Sequence, residues 1–242
     1  MAEFKLPTEI IDLPSKGLIY PEDNPLSSGK IEMKYMTAKE EDILSNQAYI
    51  EKGIVIDKLL KSLIVSNINY DDLIIGDKNA IMVAARILGY GKDYSFTYKG
   101  ETIEIDLSLL DNKKIKDEDF PKGQNNFNFT LPSTNTEITF KILTHKDEQA
   151  IQKEMEGLKK LSKNSSYSVS TRLKHMITSV GGDAEKKSIR EFVDKFMLAQ
   201  DSRALRNHMQ NFQPDVDLSF FPPTEEDRKS IPINLDFFWP DI

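Results

Sequence analysis

The spacing of apolar residues changes period several times along the chain. Residues 31–35 alternate, with Ile31, Met33 and Tyr35 on one side, the pattern of a strand with one buried face. Thr37 follows, and Glu40 stands three residues later. That pair predicts a capping box, in which each side chain satisfies the other's free backbone N–H. The helix it opens should run to about Ile50 and stop near Gly53. Val55, Ile56, Leu59, Leu60, Leu63 and Ile64 then recur three and four apart, the stripe of a second helix. A third helix is predicted from Asp77, with Ile81, Ala84, Ala85 and Leu88 along it and Gly89 at its end. Residues 94–110, YSFTYKGETIEIDLSLL, read as a hairpin turning at Lys99 and Gly100.

Ahead of the first strand, Pro7, Pro14, Pro21 and Pro25 predict that residues 1–28 form an extended, turn-rich arm. Its Ile10, Ile11, Leu13, Leu18, Ile19 and Tyr20 are candidate anchors for a partner, by addition to a sheet edge or by wrapping a groove. The alternative for about half of them is packing on the chain's own core.

The same order of patterns returns in the second half. Ile138, Phe140 and Ile142 alternate, and Thr144 is followed three residues later by Asp147. Ile31, Thr37, Lys39 and Glu41 recur as Ile138, Thr144, Lys146 and Glu148, all at an offset of 107. LKSLIVS at 60–66 recurs as LKHMITS at 173–179, an offset of 113, and IEIDLSLL at 103–110 recurs as IPINLDFF at 231–238, an offset of 128. Arg86 and Arg203, 117 apart, occupy similar helical places. The preserved order, with growing offsets, is what a duplication with insertions produces. The alternative is two unrelated α+β halves.

These patterns predict an α+β fold of two similar halves. Each has a strand or hairpin element and a small antiparallel sheet packed on three or four helices. The division is a Pro-rich arm (1–28), a first half (29–112), a charged linker (113–130) and a second half (131–242). By analogy with 103–110, the last segment should be a strand with Ile231, Ile233, Leu235 and Phe237 on one face. Phe238 and Trp239, at its end, have two readings: anchors in the core or contacts for a partner. Aromatic residues dominate both settings, so residue type does not separate them.

Composition narrows the function. Among 242 residues there are 39 acidic and 32 basic side chains, a net charge of −7, which argues against a general nucleic-acid binder. LKKLSKNSS at 158–166 is the one modest basic stretch. There is no cysteine, so disulfides, thiolate metal sites and cysteine nucleophiles are excluded, as fits an intracellular origin. The N-terminal stretch lacks the basic start and apolar run of a signal peptide, and no apolar stretch approaches the roughly 20 residues of a membrane span.

Candidate chemistry is sparse. His145, His175 and His208 show no metal spacing and read as surface or half-buried histidines. GYGKD at 89–93 lacks the spacing of a phosphate loop, and SVGGD at 179–183 reads as a helix stop. DAEKKSIREFVDK at 183–195 alternates charges opposite Ile189, Phe192, Val193 and Phe196, a solvated helix face. No carboxylate pair stands out, so no enzyme, cofactor or metal is expected. In FMLAQDSRALRNHMQNF (196–212), Asp201 should cap a helix. Arg203 in the first turn opposes the helix dipole, so it is either paired with Asp201 or simply exposed.

LPSKGLIYPED near the start, MTAKEEDILSNQAYIEKGIVIDKLLKSLI, DSRALR and the terminal IPINLDFFWPDI together resemble the baseplate hub assembly proteins of T-even-type tailed phages. The resemblance covers nearly the whole chain in order. It implies a non-enzymatic role, by contact with other baseplate hub or tail proteins, in the host cytoplasm during assembly. Two alternatives stand beside it: a permanent structural subunit of the virion baseplate, and a hub-associated cell-wall hydrolase. Proteins of this kind often carry paired cysteines, suited to a zinc knuckle, before the last strand and in the matching first-half hairpin. This chain has Phe221, Pro222, Pro223 and Tyr98, Lys99, Gly100 there, so the metal does not carry over. The oligomeric state is left open.

Overall fold

The computed structural model describes residues 6–161, 168–223 and 227–238. The first half opens on a hairpin of β1 (Thr8–Asp12) and β2 (Lys30–Lys34), antiparallel with Ile11 opposite Ile31. The expected arm is therefore folded back on the chain. Thr37 then starts α1 (Ala38–Leu44), and Glu40 accepts from the Thr37 N–H at 3.1 Å and from its hydroxyl at 2.6 Å. The helix stops earlier than Ile50. Asn46 accepts from the Tyr49 N–H at 3.2 Å and caps a separate α2 (Gln47–Glu51), because its short amide competes well for a free backbone donor. α3 (Val55–Leu63) buries Val55, Leu59, Leu60 and Leu63. α4 (Ile75–Tyr90) starts two residues before the expected Asp77. β3 (Asp93–Tyr98) and β4 (Glu101–Asp106) form the predicted hairpin, and Lys99 and Gly100 both have positive φ, 49° and 87°, as a two-residue turn of this kind requires.

The second half holds β5 (Phe127–Thr130), β6 (Glu137–Phe140), α5 (His145–Leu161), α6 (Ser168–Met176) and β7 (Ile177–Val180). Next come α7 (Lys186–Lys195), α8 (Ala199–Phe212), the short pair β8 (Ser219–Phe220) and β9 (Lys229–Ser230), and α9 (Leu235–Phe238). Strands β5, β6 and β7 form one antiparallel sheet. β5 lies in the segment expected to be linker, and Phe120 of that segment is buried.

Pairings far apart in sequence match between the halves. Met33 pairs antiparallel with Ile64, and Phe140 pairs antiparallel with Ile177, their counterparts at offsets 107 and 113. Lys34 bonds Glu40 at 2.9 Å, and Lys141 bonds Asp147 at 2.7 Å. Leu13 and Leu131 each directly follow a strand, both are buried, and both open an LPS triplet. The Ser15 N–H then donates to Asp77 at 2.9 Å, and the Ser133 N–H donates to Asp201 at 2.7 Å. Each aspartate is the third residue of its helix, which sets α4 and α8 in register at an offset of 124.

That register corrects one expected match. Arg86 lies late in α4, buried, and donates to the carbonyls of Gly91 at 2.7 Å and Asp93 at 3.0 Å. Arg203 is exposed in the second turn of α8, which starts two residues before the expected Asp201 cap. The two are not equivalent.

The terminal segment is corrected as well. Residues 235–238 form a helical turn, not a strand, because Asn234 accepts from the Phe237 N–H at 3.2 Å. The same happens at its first-half counterpart, where Asp106 accepts from the Ser108 N–H at 2.9 Å and Leu107–Leu109 turn helically. Both turns lie against α4. Phe237 and Phe238 are 0% exposed, and Phe237 meets Tyr94 edge-on at 4.9 Å. One continuous hydrophobic core thus joins the halves. At Gly76 the halves approach closely: a Cβ there would fall 1.8 Å from the Pro214 carbonyl oxygen. No helix among the described residues is long and apolar enough to cross a membrane.

Candidate functional site

The halves meet at a joint of extended backbone. Ile74, just before α4, pairs antiparallel with Thr144, just before α5. The His145 N–H donates to the Leu73 carbonyl at 2.7 Å, and the Ile75 N–H to the Leu143 carbonyl at 3.3 Å. Beside this joint a cleft of about 1090 Å³ runs between α3 and α4 on one side and α5 and α6 on the other.

The inner end of the cleft is polar. Lys78 donates to Asp57 at 2.6 Å, and the Tyr70 hydroxyl donates to Asp57 at 3.0 Å. Buried His145 stands edge-on to Tyr70 at 4.7 Å. Its Nδ1 is 3.4 Å from the Lys78 ammonium, and its Nε2 lies 3.5 Å from Asp57 and 2.9 Å from the Gln149 amide. Burial lowers the His145 pKa; the Lys78 charge adds to this and Asp57 opposes it. Burial works against the Asp57 carboxylate, but Lys78 outweighs it and holds the pKa below the ordinary value. At neutral pH the cluster is a Lys78–Asp57 ion pair with a neutral imidazole beside it. Both imidazole nitrogens face protein groups, whereas proton transfer to a substrate needs one directed at the substrate. The cluster ties α3, α4 and α5 together. At the outer wall Arg172 grips Glu148, one of its two bonds measuring 2.7 Å.

The other histidines also have protein partners. His175 lies 2.9 Å from Glu154, and His208 stacks between Phe129 and Phe212 at 4.8 and 5.1 Å. Among the described residues no cluster of three metal-ligating side chains occurs. Arg203 does not pair with Asp201, whose carboxylate accepts from the Ser133 N–H and so ties the β5–β6 loop to α8 within the second half.

The residues singled out as partner anchors separate sharply. Leu13, Ile19, Tyr20 and Phe238 are buried in the chain's own core and are closed to a partner. Ile11 and Leu18 are half-buried against that core. Ile10 alone of the arm set stands clear, 66% exposed on β1. Trp239 lies outside the described residues.

Asp77 is the reason the arm folds inward. It is fully buried in the first turn of α4 and collects the Ser15 N–H at 2.9 Å, the Ser15 hydroxyl at 2.7 Å and the Tyr20 hydroxyl at 2.6 Å. The Tyr20 oxygen in turn accepts from the Ile74 N–H at 3.1 Å. The sequence carried a signal for this in the repeated LPS triplets and the repeated aspartate at the helix starts.

Among the described residues, β1 keeps a free side. Its pairing to β2 is flanked by bonds from the Tyr35 N–H to the Pro7 carbonyl and from the Leu13 N–H to the Gly29 carbonyl. Residues 7, 9, 11 and 13 therefore direct their backbone at β2, and 8, 10 and 12 direct theirs outward. β1 is an edge of its sheet, with Ile10 at its centre. Compared with known proteins, the chain matches no family model, and no curated protein or solved structure matches it significantly.

Proposed function

We propose that this chain works by protein–protein contact, as a non-enzymatic morphogenesis factor that helps assemble the central hub of a phage tail baseplate in the host cytoplasm. The baseplate setting comes from the sequence resemblance. The contact mode is supported by one observation: among the described residues the outer edge of β1 is unpaired, and it carries exposed Ile10. Such an edge accepts a partner's strand through backbone bonds, with the side chain adding specificity.

The test is co-purification of the tagged chain with the tail proteins of its own phage, for the natural sequence and for Ile10→Lys. The natural chain should retain a hub or tail protein. The variant should melt normally and lose that protein, because a charge on an edge strand blocks further pairing. Equal capture by both removes β1 as the contact. Depletion of the chain from purified particles fits an assembly factor, whereas a fixed copy number there identifies a permanent subunit. A peptidoglycan-clearing band from the pure chain would overturn the non-enzymatic reading.

A further inference from the structure

The joint between the halves is asymmetric. The first half contributes residues 73–75, ahead of α4, and the second contributes residues 143–145, between β6 and α5. Each half contains both kinds of segment. The counterpart of 73–75 is 197–199, ahead of α8, by the offset of 124 that Asp77 and Asp201 fix. The counterpart of 143–145 is 36–38, between β2 and α1, by the offset of 107. A closed pseudo-twofold would place 197–199 against 36–38 inside the chain. It does not occur: Ile74 is 0% exposed, but its counterpart Leu198 is 50% exposed. The N–H groups of Ala38 and Ala199 and the carbonyls of Met36 and Met197 make no backbone bond to the described residues.

Both unused segments are framed as the used ones are. Phe196, two residues before Leu198, is 60% exposed, and Val169, the counterpart of cleft-lining Ile56, is exposed as well. Arg203 and Arg206 are exposed on α8 where α4 turns Asn79 and Met82 into the cleft. At the other end, Glu41 and Asp42 are exposed on α1 where α5 presents Glu148 and Gln149 to the opposite wall. Repeating the joint therefore brings two arginines to two carboxylates.

We infer that the chain associates with a second copy of itself, head to tail, by repeating its internal joint. Residues 197–199 of one copy pair antiparallel with residues 36–38 of the next. The Ala38 N–H donates to the Met197 carbonyl and the Ala199 N–H to the Met36 carbonyl, as His145 and Ile75 donate at 2.7 and 3.3 Å within the chain. Arg203 and Arg206 face Glu41 and Asp42. This surface is separate from β1, so it stands or falls apart from the proposed hub role.

The test uses prolines at the two donors. Ala38 and Ala199 are each the first residue of a helix, where proline is well tolerated and only the N–H is lost. The preceding residues already have extended backbone, Thr37 at φ −122°, ψ 172° and Leu198 at φ −68°, ψ 149°, as a following proline demands. Sedimentation velocity over a micromolar to millimolar series should show the natural chain gaining mass, and A38P and A199P each remaining monomeric with unchanged circular dichroism. An equimolar mixture should give a two-chain species and stop there, because A38P keeps its tail and A199P keeps its head. A natural chain that stays monomeric throughout overturns the inference. So do proline variants that associate like the natural chain, or a mixture that forms no two-chain species.

Discussion

Replacing Asp77 with alanine should destabilise the protein more than any other single polar substitution in the first half. Three donors converge on its carboxylate, from the Ser15 N–H, the Ser15 hydroxyl and the Tyr20 hydroxyl. A buried donor left unmade costs about 1–3 kcal/mol. The hydroxyls can turn towards other acceptors, but the Ser15 N–H has no such freedom. Part of the cost is returned, because burial of the carboxylate is itself unfavourable and pushes its pKa up to about 6 against the three bonds. The net loss should be about 2–5 kcal/mol, a large share of a total stability of roughly 5–15 kcal/mol. For a chain of this size that lowers Tm by roughly 4–20 °C. Urea unfolding of D77A, S15A and the double variant should show strong non-additivity, because both substitutions break one network. D77N should fall between the natural chain and D77A, keeping one acceptor. Because the folded pKa is raised, the stability linked to Asp77 protonation is complete below about pH 4 and lost as pH rises through about 6, so the gap to D77N should narrow over that range. A D77A loss below about 1 kcal/mol, or additive single effects, would refute the network.

Gly76→Ala should destabilise by about 2 kcal/mol in thermal melts despite alanine's better helix propensity, since the new Cβ meets the Pro214 carbonyl 1.8 Å away; unchanged stability would show that α4 shifts freely. Arg203→Ala should stay within about 0.5 kcal/mol of the natural chain in urea, while Asp201→Ala costs about 1–3 kcal/mol by stranding the Ser133 N–H. Burial opposes ionisation of Glu40, but bonds from Lys34, Ser62 and Thr37 hold its pKa at about 2. Its contribution is therefore present above about pH 4.5 and lost as pH falls towards 2, and Glu40→Gln should flatten that limb of a Tm–pH curve. Phe238→Ala should cost about 3–5 kcal/mol, and removal of 231–242 should lower Tm; normal melting of both would detach the tail from the core.

The chain's local structure was largely legible in its residues. The strand at 31–35, the Thr37 cap, the stripe of α3 and the Lys99–Gly100 turn depend on neighbours within a few positions, and they formed as read. The repeated order of strand, capped helix and hairpin was legible too, since local patterns survive in linear order. What the sequence alone could not set was where each apolar face would be covered. Leu13, Ile19 and Tyr20 look like free anchors until a buried aspartate 57 residues beyond Tyr20 draws that loop inward. Phe237 and Phe238 sit in a capped turn because Asn234 offers an acceptor, and they are buried because α4 and Tyr94 of the other half lie opposite. Periodicity reports which side of an element is apolar, whereas the partner that covers it is chosen by contacts between residues far apart in the sequence, such as Tyr20 with Asp77 and Tyr94 with Phe237. Only the folded chain therefore showed that β1 and residues 197–199 remain open.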